Sequence, residues 1–346
     1  RPTMYMRCFV IIVLLVVVLA ALNEYSNESS VISSSFRSSE LQRIMTNSTL
    51  SPTSENTRDI VIVTYVFSEA AMQKRYLRMF LESAATSGVD LILVGDSVPT
   101  YKLPGNIQFY QISWDQFCDL VSHKLFDGQD VEKLRTAEPY KINDFKPLFA
   151  YLFPELVQGY SFWGHCDNDL LLGNVRNFLP DLSDLDVIGA IQDQNTWGAF
   201  TLYRHDPHIN ELFLEAEVEL ERLFNNPKPL CFDEWGSCGF RKRPGTSISS
   251  ILDHAANVTV HRGLDGIVWD GVCKFSSYNV SREHCAECVY KHGRLYNHNN
   301  NQEVLLCHYQ HSKVRLEHSL QDDTLYESLV ETREFRANYS YGFDFV

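Results

Sequence analysis

Residues 159–174 read GYSFWGHCDNDLLLGN, an aromatic run suited to a sheet interior that stops at Asp167-Asn168-Asp169 before an apolar run resumes. Two carboxylates one residue apart, at a strand end where the backbone turns, reach a single hard cation together while Asn168 points elsewhere. Mg²⁺ or Mn²⁺ held by one or two carboxylates, with substrate phosphates completing the shell, is the usual arrangement around a nucleotide. The chemistry such an ion supports is departure of a nucleoside diphosphate, whose developing charge it neutralises. The plainer alternative is that both aspartates cap a turn. Spacing alone says little, because Asp184-Leu185-Asp186 repeats it with no aromatic strand before it and reads as a loop leading into Val187-Ile188. An EF-hand reading of DNDLLLG fails, since Leu171 stands where an oxygen ligand is required and Gly173 comes one residue late.

Holding two carboxylates in this way requires a strand, and residues 162–166 are apolar and aromatic enough to form a central one. Upstream, DIVIVTY (59–65) is a β-branched run fit for a strand buried on both faces. Ser68 suits the cap of a following helix, in which Met72, Tyr76, Met79 and Phe80 form one stripe before Gly88 ends it. Residues 91–94 give a second strand closing on Gly95 and Asp96. Strand, helix and strand of this length imply a right-handed parallel crossover and an α/β sheet. Ligands in such sheets bind at the carboxyl ends of strands, which places Thr64, Tyr65 and Asp96 at the rim of a site, although Asp96 also suits a simple turn. Residues 107–113 read as a third strand and 114–124 as an amphipathic helix. In YKINDFKP (140–147), Lys141, Asp144 and Lys146 share one polar patch, and Pro147 suits the first turn of a helix through Phe153.

The chain has 346 residues, 45% hydrophobic and 12% aromatic, which fits one large catalytic-sized domain with appendages. A net charge of −14 argues against nucleic acid as a partner, and an anionic substrate would need a metal or a local Lys/Arg cluster. The segment CFVIIVLLVVVLAAL (8–22) carries no charge and follows Arg1 and Arg7. It predicts a type II signal-anchor behind a cytosolic tail (1–7), with a cleaved signal peptide or a buried core helix as alternatives. Residues 23–58, rich in Ser, Thr and Asn, read as a disordered lumenal stem, and residues 59–346 as a lumenal domain. A short anchor and a stem of this kind predict a Golgi or ER membrane, with secretion as the alternative. Sequons at Asn27, Asn47, Asn257, Asn279 and Asn338, and eight of nine cysteines beyond the apolar segment, agree with an oxidising lumen. Cys285 and Cys288, with His284 and His292 nearby, resemble half a zinc site but have no second pair at ligand spacing. Disulfides among Cys273, Cys285 and Cys288, with Cys307 a further candidate, are the better reading.

The block KINDFKP, a helix, then GYSFWGHCDNDLLLGNV resembles the KxCDFKPxxG and YDFWGxxDxDxxxGD pattern of a group of bacterial polysaccharide-biosynthesis proteins that look like GT-A-type glycosyltransferases. The resemblance continues through WGAFTLYR (197–204), Phe232-Asp233-Glu234 and CHYQHSK (307–313), in order, with an insertion near 273–298. It implies the GT-A (nucleotide-diphospho-sugar transferase) fold, a single Rossmann-like mixed sheet flanked by helices. It also implies roles: Asp169 as the firmer metal ligand, Asp167 shared between metal and ribose, His308 completing the metal shell, and Lys313 near the diphosphate. Asp144 and Lys146 would contact the nucleotide, and Asp233-Glu234 would supply an acceptor-side general base if the reaction inverts configuration. Asn143 and Asn174 depart from the pattern without removing a ligand. Each position also has a plain structural reading: His308 as a buried core histidine, Asp233-Glu234 as a solvated helix start, Lys146 and Lys313 as surface charges. Trp197, Phe200 and Tyr203 suit the core better than a sugar-stacking platform.

The expectation is thus a metal-dependent glycosyltransferase, using Mn²⁺ or Mg²⁺, that moves a sugar from a nucleotide-sugar donor to a glycan, protein or lipid acceptor, glycoproteins and glycolipids included. Its rivals are a non-catalytic lumenal glycan-binding or scaffold protein of the same fold, and a metal-dependent phosphoester hydrolase.

Overall fold

The computed structural model describes residues 59–189, 198–216, 220–234, 245–269, 287–310, 312–338 and 342–344. The tail, apolar segment and stem (1–58), Trp197, Cys273, His284, Cys285 and the sequons at Asn27, Asn47 and Asn279 lie outside them. None of the described helices is long and apolar enough to cross a membrane.

The β-branched run IVIVTYV forms β1 (Ile60–Val66), and every residue of it is buried. Alternation along the strand sends Val61, Val63 and Tyr65 into one core with Phe117, Phe149 and Trp163. Ile60, Ile62 and Val66 enter a second core with Leu77, Phe80 and Leu81 on the other face. A strand covered on both faces needs an unbroken apolar sequence, which is what this run supplies. On one side β1 pairs parallel with β2 (Asp90–Gly95), which pairs parallel with β3 (Ile107–Gln111). On its other side β1 pairs parallel with β4 (Phe162–Cys166). The sheet then continues through β7 (Phe200–Arg204), antiparallel to β4, followed by β6 (Val187–Gly189) and β8 (Val260–Arg262). The order β3-β2-β1-β4-β7-β6-β8 makes a seven-stranded mixed sheet with β4 at its centre, flanked by helices.

Two helical expectations change. The helix after β1 is two helices, α1 (Glu69–Met72), whose Ser68 hydroxyl accepts from the Ala71 N–H at 3.3 Å, and α2 (Arg75–Ala84). Lys74 between them is extended (ψ 131°), which interrupts the helical series. The stripe read from sequence serves two cores: Met72 and Phe80 face the large sheet, whereas Met79 faces Tyr290, Leu295 and Phe335. The second change is at Pro147, which lies inside a 3₁₀ helix (Pro139–Leu148), so that α4 (Phe149–Leu152) begins only after it. Between these, α3 (Trp114–Leu125) carries a full capping box at Ser113 and Gln116.

The remaining strands form two smaller sheets. In one, β5 (Leu170–Leu172), β12 (Leu306–His308) and β9 (Ile267–Trp269) lie in the order β5-β12-β9. The other comprises β10 (Cys288–Lys291), β11 (Arg294–Asn297), β13 (Phe335–Asn338) and β14 (Gly342–Asp344), and α5 (Lys313–Ser319) and α6 (Asp323–Thr332) lie between β12 and β13 in the chain. A disulfide from Cys288 to Cys307 ties β10 to β12, and Cys231 is also disulfide-bonded. Cys118 and Cys166 are buried free thiols, so the even count of cysteines does not mean a fully paired set.

Candidate active site

The end of β4 is fixed by its neighbours. The Asp167 N–H donates to the Ala199 carbonyl at 3.1 Å, and the Asn168 amide donates to the Tyr65 carbonyl at 2.8 Å, which turns Asn168 away from the two carboxylates. The chain then re-enters a strand at once, and β5 pairs antiparallel with β12 in the register Leu172↔Leu306, Leu171↔Cys307, Leu170↔His308. The Tyr309 N–H donates to the Asp169 carbonyl at 2.9 Å and closes the ladder. That register carries His308 to Asp167 and Asp169 from far along the chain. His308 Nε2 lies 3.1 Å from Asp169 Oδ1 and 3.4 Å from Asp167 Oδ2.

One ligand atom from each of Asp167, Asp169 and His308 lies within 4.8 Å of the others. Two carboxylate oxygens and an imidazole nitrogen are a donor set that fits a divalent cation. Their electrostatics reflect close packing of opposite charge. Burial pulls the His308 pKa down, but the Asp169 and Asp167 carboxylates outweigh it and lift the group to about 10. Burial raises the Asp169 carboxyl, yet His308 and Lys313 hold it well below the usual carboxylate range. Burial likewise raises Asp167, and Lys146 followed by His308 overcomes it. The Lys313 ammonium donates to Asp169 Oδ2 at 2.9 Å from the first turn of α5.

Lys146 is buried and commits all of its N–H groups to the protein. It donates to Asp167 Oδ1, to the Gly198 carbonyl at 3.0 Å and to Asp233 Oδ2 at 3.2 Å. Burial alone would weaken its charge, and the two aspartates restore it, raising its pKa. It therefore spaces Asp167 from the second acid pair instead of offering a hydrogen bond to a ligand. In Asp233 burial raises the carboxyl pKa well above normal, with Lys146 opposing and Glu234 adding. Burial, then the charge of Asp167, raises Glu234 too, and its side chain faces the cavity. Gly198 allows this arrangement, because a Cβ there would strike Asp233 Oδ2 and lie 2.9 Å from Glu234 Oε1.

A cavity of about 380 Å³ opens over these groups, lined among others by Thr64, Tyr65, Asp167, Asp169, Glu234 and Lys313. It sits at the carboxyl ends of β1 and β4, where the strand order departs to opposite sides of β1, which is the usual ligand position in open α/β sheets. Asp233 and Lys146 also border it. Two residues expected at the site are elsewhere. Asp96 accepts from its neighbour Ser97 at 3.0 Å and does not line the cavity, so it serves a turn. Asp144 is wholly buried beneath the site. In a 3₁₀ helix residues i and i+3 eclipse, and Lys141 accordingly meets Asp144 at 2.6 Å. The Asp144 oxygens also accept from the Leu230 and Phe232 N–H groups at 2.9 and 3.0 Å. The residue is a strut under the segment that delivers Asp233 and Glu234. Phe200 and Tyr203 are buried core residues, as expected. Among the cavity residues without an assigned role from sequence are Tyr76, read only as part of a helix stripe, and Tyr140; Gly198, also without one, packs beneath Asp233 and Glu234. Tyr140 heads the polar KINDFKP block and Gly198 falls within WGAFTLYR, which are the signals the sequence held for them.

The family model for DUF6625, described as a family of unknown function, matches residues 71–338. The chain belongs to DUF6625. No curated protein matches the DUF6625 chain by sequence. Among solved structures, it is similar to the crystal structure of a glycosyltransferase involved in the glycosylation of the major capsid of PBCV-1. That likeness has a TM-score of 0.39 and 10% identity, covering 76% of this chain and 98% of the other. It is also similar to the apo-form glycosyltransferase GlyE of Streptococcus pneumoniae TIGR4, with a TM-score of 0.39 and 13% identity over 80% of this chain and 62% of GlyE.

Proposed function

We propose that this DUF6625 chain is a metal-dependent glycosyltransferase of GT-A type, transferring a sugar from a nucleotide-sugar donor to a glycan, protein or lipid acceptor. The observation that carries the reading is the meeting of Asp167, Asp169 and His308 at the carboxyl end of the central strand, beside a cavity whose other wall holds a second acid pair. Asp167, Asp169 and His308 would hold Mn²⁺ or Mg²⁺, which when bound supplies charge neutralisation for a departing diphosphate. Lys313, partly exposed and resting on Asp169, is placed to add its positive charge to the same phosphates. Lys146 keeps Asp167 and Asp233 at fixed spacing, so that the ion site and the acid pair do not collapse on each other. Glu234 is the acid free to act as general base, since Asp233 is held by Lys146. In a single displacement the acceptor hydroxyl oxygen bonds to the anomeric carbon and its proton passes to the Glu234 carboxylate. The bond from that carbon to the diphosphate oxygen breaks, and the nucleoside diphosphate leaves with the electron pair. The raised pKa of Glu234, caused by burial and then by the charge of Asp167, makes it a stronger proton acceptor than an exposed carboxylate. The same proposal places the enzyme in a Golgi or ER membrane through residues 8–22, with the site in the lumen. The Cys288–Cys307 disulfide supports an oxidising compartment.

The test is thermal unfolding of the protein with UDP or GDP, with and without Mn²⁺ or Mg²⁺, followed by a screen of nucleotide sugars for turnover. Nucleotide should stabilise only with the ion, by about 2.7 kcal/mol when free ligand is a hundredfold above its Kd, and Asp169→Ala should abolish the effect. Metal-independent nucleotide binding that survives Asp169→Ala would overturn the assignment. Glycan binding with no turnover of any nucleotide sugar would favour a lectin-like protein.

A further inference from the structure

The cavity has two unlike walls. On one, Tyr76 feels the charges of Asp169 and Lys313. On the other stands Tyr140, second residue of the 3₁₀ helix that carries Lys146. Burial by the wall, then Asp167, raises the Tyr140 phenol pKa; Lys146 opposes, and Asp233 and Glu234 add to the rise. Tyr140 lines the same cavity as Asp233 and Glu234, and it stands on the 3₁₀ helix whose Lys146 donates to Asp233.

Tyr140 borders the cavity and yet is 59% exposed, one of four exposed large hydrophobic side chains among the described residues. Its ring joins none of the three hydrophobic cores and makes no hydrogen bond or ring contact with any described residue. Phe145, five positions on in the same helix, packs edge-to-face on Phe117 and at a tilt on Phe224. An aromatic ring left in water at the edge of a polar cavity forfeits the burial that such side chains normally gain. A pyranose ring would restore it. One face of such a sugar is a sheet of weakly positive C–H groups that packs on an aromatic π face, and its rim carries hydroxyls that donate to carboxylates. Tyrosine offers this surface with only two side-chain torsions to fix.

We propose that Tyr140 and the Asp233-Glu234 pair form the acceptor subsite and that it takes a pyranose: the ring stacks under the sugar, and Glu234 faces the hydroxyl that will be glycosylated. This rests on the glycosyltransferase reading above and narrows its acceptor to a sugar, as opposed to a peptide side chain or a lipid hydroxyl. A lipid offers a single hydroxyl on an apolar chain, whereas Asp233 and Glu234 set two carboxylates in the cavity, acceptors suited to the several hydroxyls of a sugar.

The experiment uses the full-length protein, its Tyr140→Ala and Tyr140→Phe variants, a printed glycan array, and saturation-transfer NMR with methyl hexopyranosides and their disaccharides. Wild type and Tyr140→Phe should bind at least one pyranoside, and Tyr140→Ala should bind it about tenfold more weakly, the upper range for one aromatic stack. Metal-dependent stabilisation by UDP or GDP should be the same in all three. Equal glycan binding by Tyr140→Ala, or no pyranoside bound by wild type whose nucleotide binding is intact, overturns the subsite. Weakened UDP or GDP binding in Tyr140→Ala with glycan binding unchanged also overturns it, giving the ring to the nucleobase. Failure of wild type to bind nucleotide is a separate readout that strikes the parent reading, while Tyr140-dependent glycan binding still decides the subsite.

Discussion

Replacing Asp144 by alanine distinguishes a strut from a ligand contact. The carboxylate is fully buried and accepts from the Lys141 ammonium at 2.6 Å and from the Leu230 and Phe232 N–H groups at 2.9 and 3.0 Å. Lys141 is equally buried and gives its other N–H groups to the carbonyls of Leu223 at 2.9 Å and Lys228 at 3.1 Å. Alanine leaves an ammonium in the interior with two neutral acceptors, and two N–H groups without an acceptor. Removing one partner of a buried ion pair costs about 3–5 kcal/mol, and the orphaned N–H groups place this case at the upper end. At roughly 2–4 °C per kcal/mol for a domain of this class, Tm should fall by about 10 °C or more. Lys141→Met combined with Asp144→Ala should recover part of that loss, because the stranded charge goes while the orphaned N–H groups remain. The assay is denaturant and thermal unfolding of the metal-free protein for both single variants and the double variant. If Asp144→Ala unfolds within about 1 kcal/mol of wild type while nucleotide binding disappears, Asp144 touches ligand and the strut argument is wrong.

Four further outcomes are expected. A metal ion must displace the His308 proton, whose pKa is about 10. Apparent Mn²⁺ affinity should therefore climb about tenfold per pH unit between roughly pH 6.5 and 9, with proton release visible by calorimetry in buffers of different ionisation enthalpy. The metal-free fold should respond in the opposite sense. Since the folded pKa of His308 lies above the unfolded value, its ion pairs stabilise fully below about pH 6.5 and are lost as pH rises through about 10; stability that grows over this range would contradict the pairing. Gly198→Ala would press a methyl group against Asp233 and Glu234; a cost of about 1–3 kcal/mol and loss of turnover with metal binding retained should result, measured by unfolding and manganese titration. Reducing the Cys288–Cys307 disulfide, which joins positions 19 apart, should cost about 3 kcal/mol. It should also weaken Mn²⁺ binding, because Cys307 adjoins His308; unchanged affinity in the reduced, folded protein would show that β12 holds its register without the bond.

The parts of this protein legible in its sequence are those whose signal is local. The run 60–66 has to be a strand buried on both faces, and the aromatics of 162–166 fix where Asp167 and Asp169 emerge, so both features match their sequence reading. Asp184 and Asp186 also behave as their context implies: Asp186 pairs with Arg204 at 3.1 Å ahead of β6 and has no part in the cavity. The break at Lys74 was hidden because the apolar spacing on either side of it continues one helical period. The 3₁₀ helix was hidden because Pro147 is equally at home in the first turn of an α-helix. Asp144 and Lys146 stand two residues apart in the same polar patch, and sequence gives no measure of depth, so it could not tell a strut below the site from a spacer within it. His308 came from family resemblance alone, for β5 and β12 are each three residues long and too short to show a period.

Asp169 and His308 are separated by 139 residues. During synthesis the two aspartates leave the ribosome long before β12 exists, and a nascent chain can offer a cation only carboxylates. The imidazole, and the Tyr309 N–H that closes the ladder onto Asp169, arrive only after every strand of the seven-stranded sheet is out. A cation bound by all three side chains pins together a loop of that length, which an unliganded chain leaves open at an entropic cost that grows with the logarithm of its size. Truncation ahead of residue 306 would thus yield a chain that keeps the central sheet strands through β8 and lacks the complete ion site. Full-strength loading with metal would report that translation had run past β12.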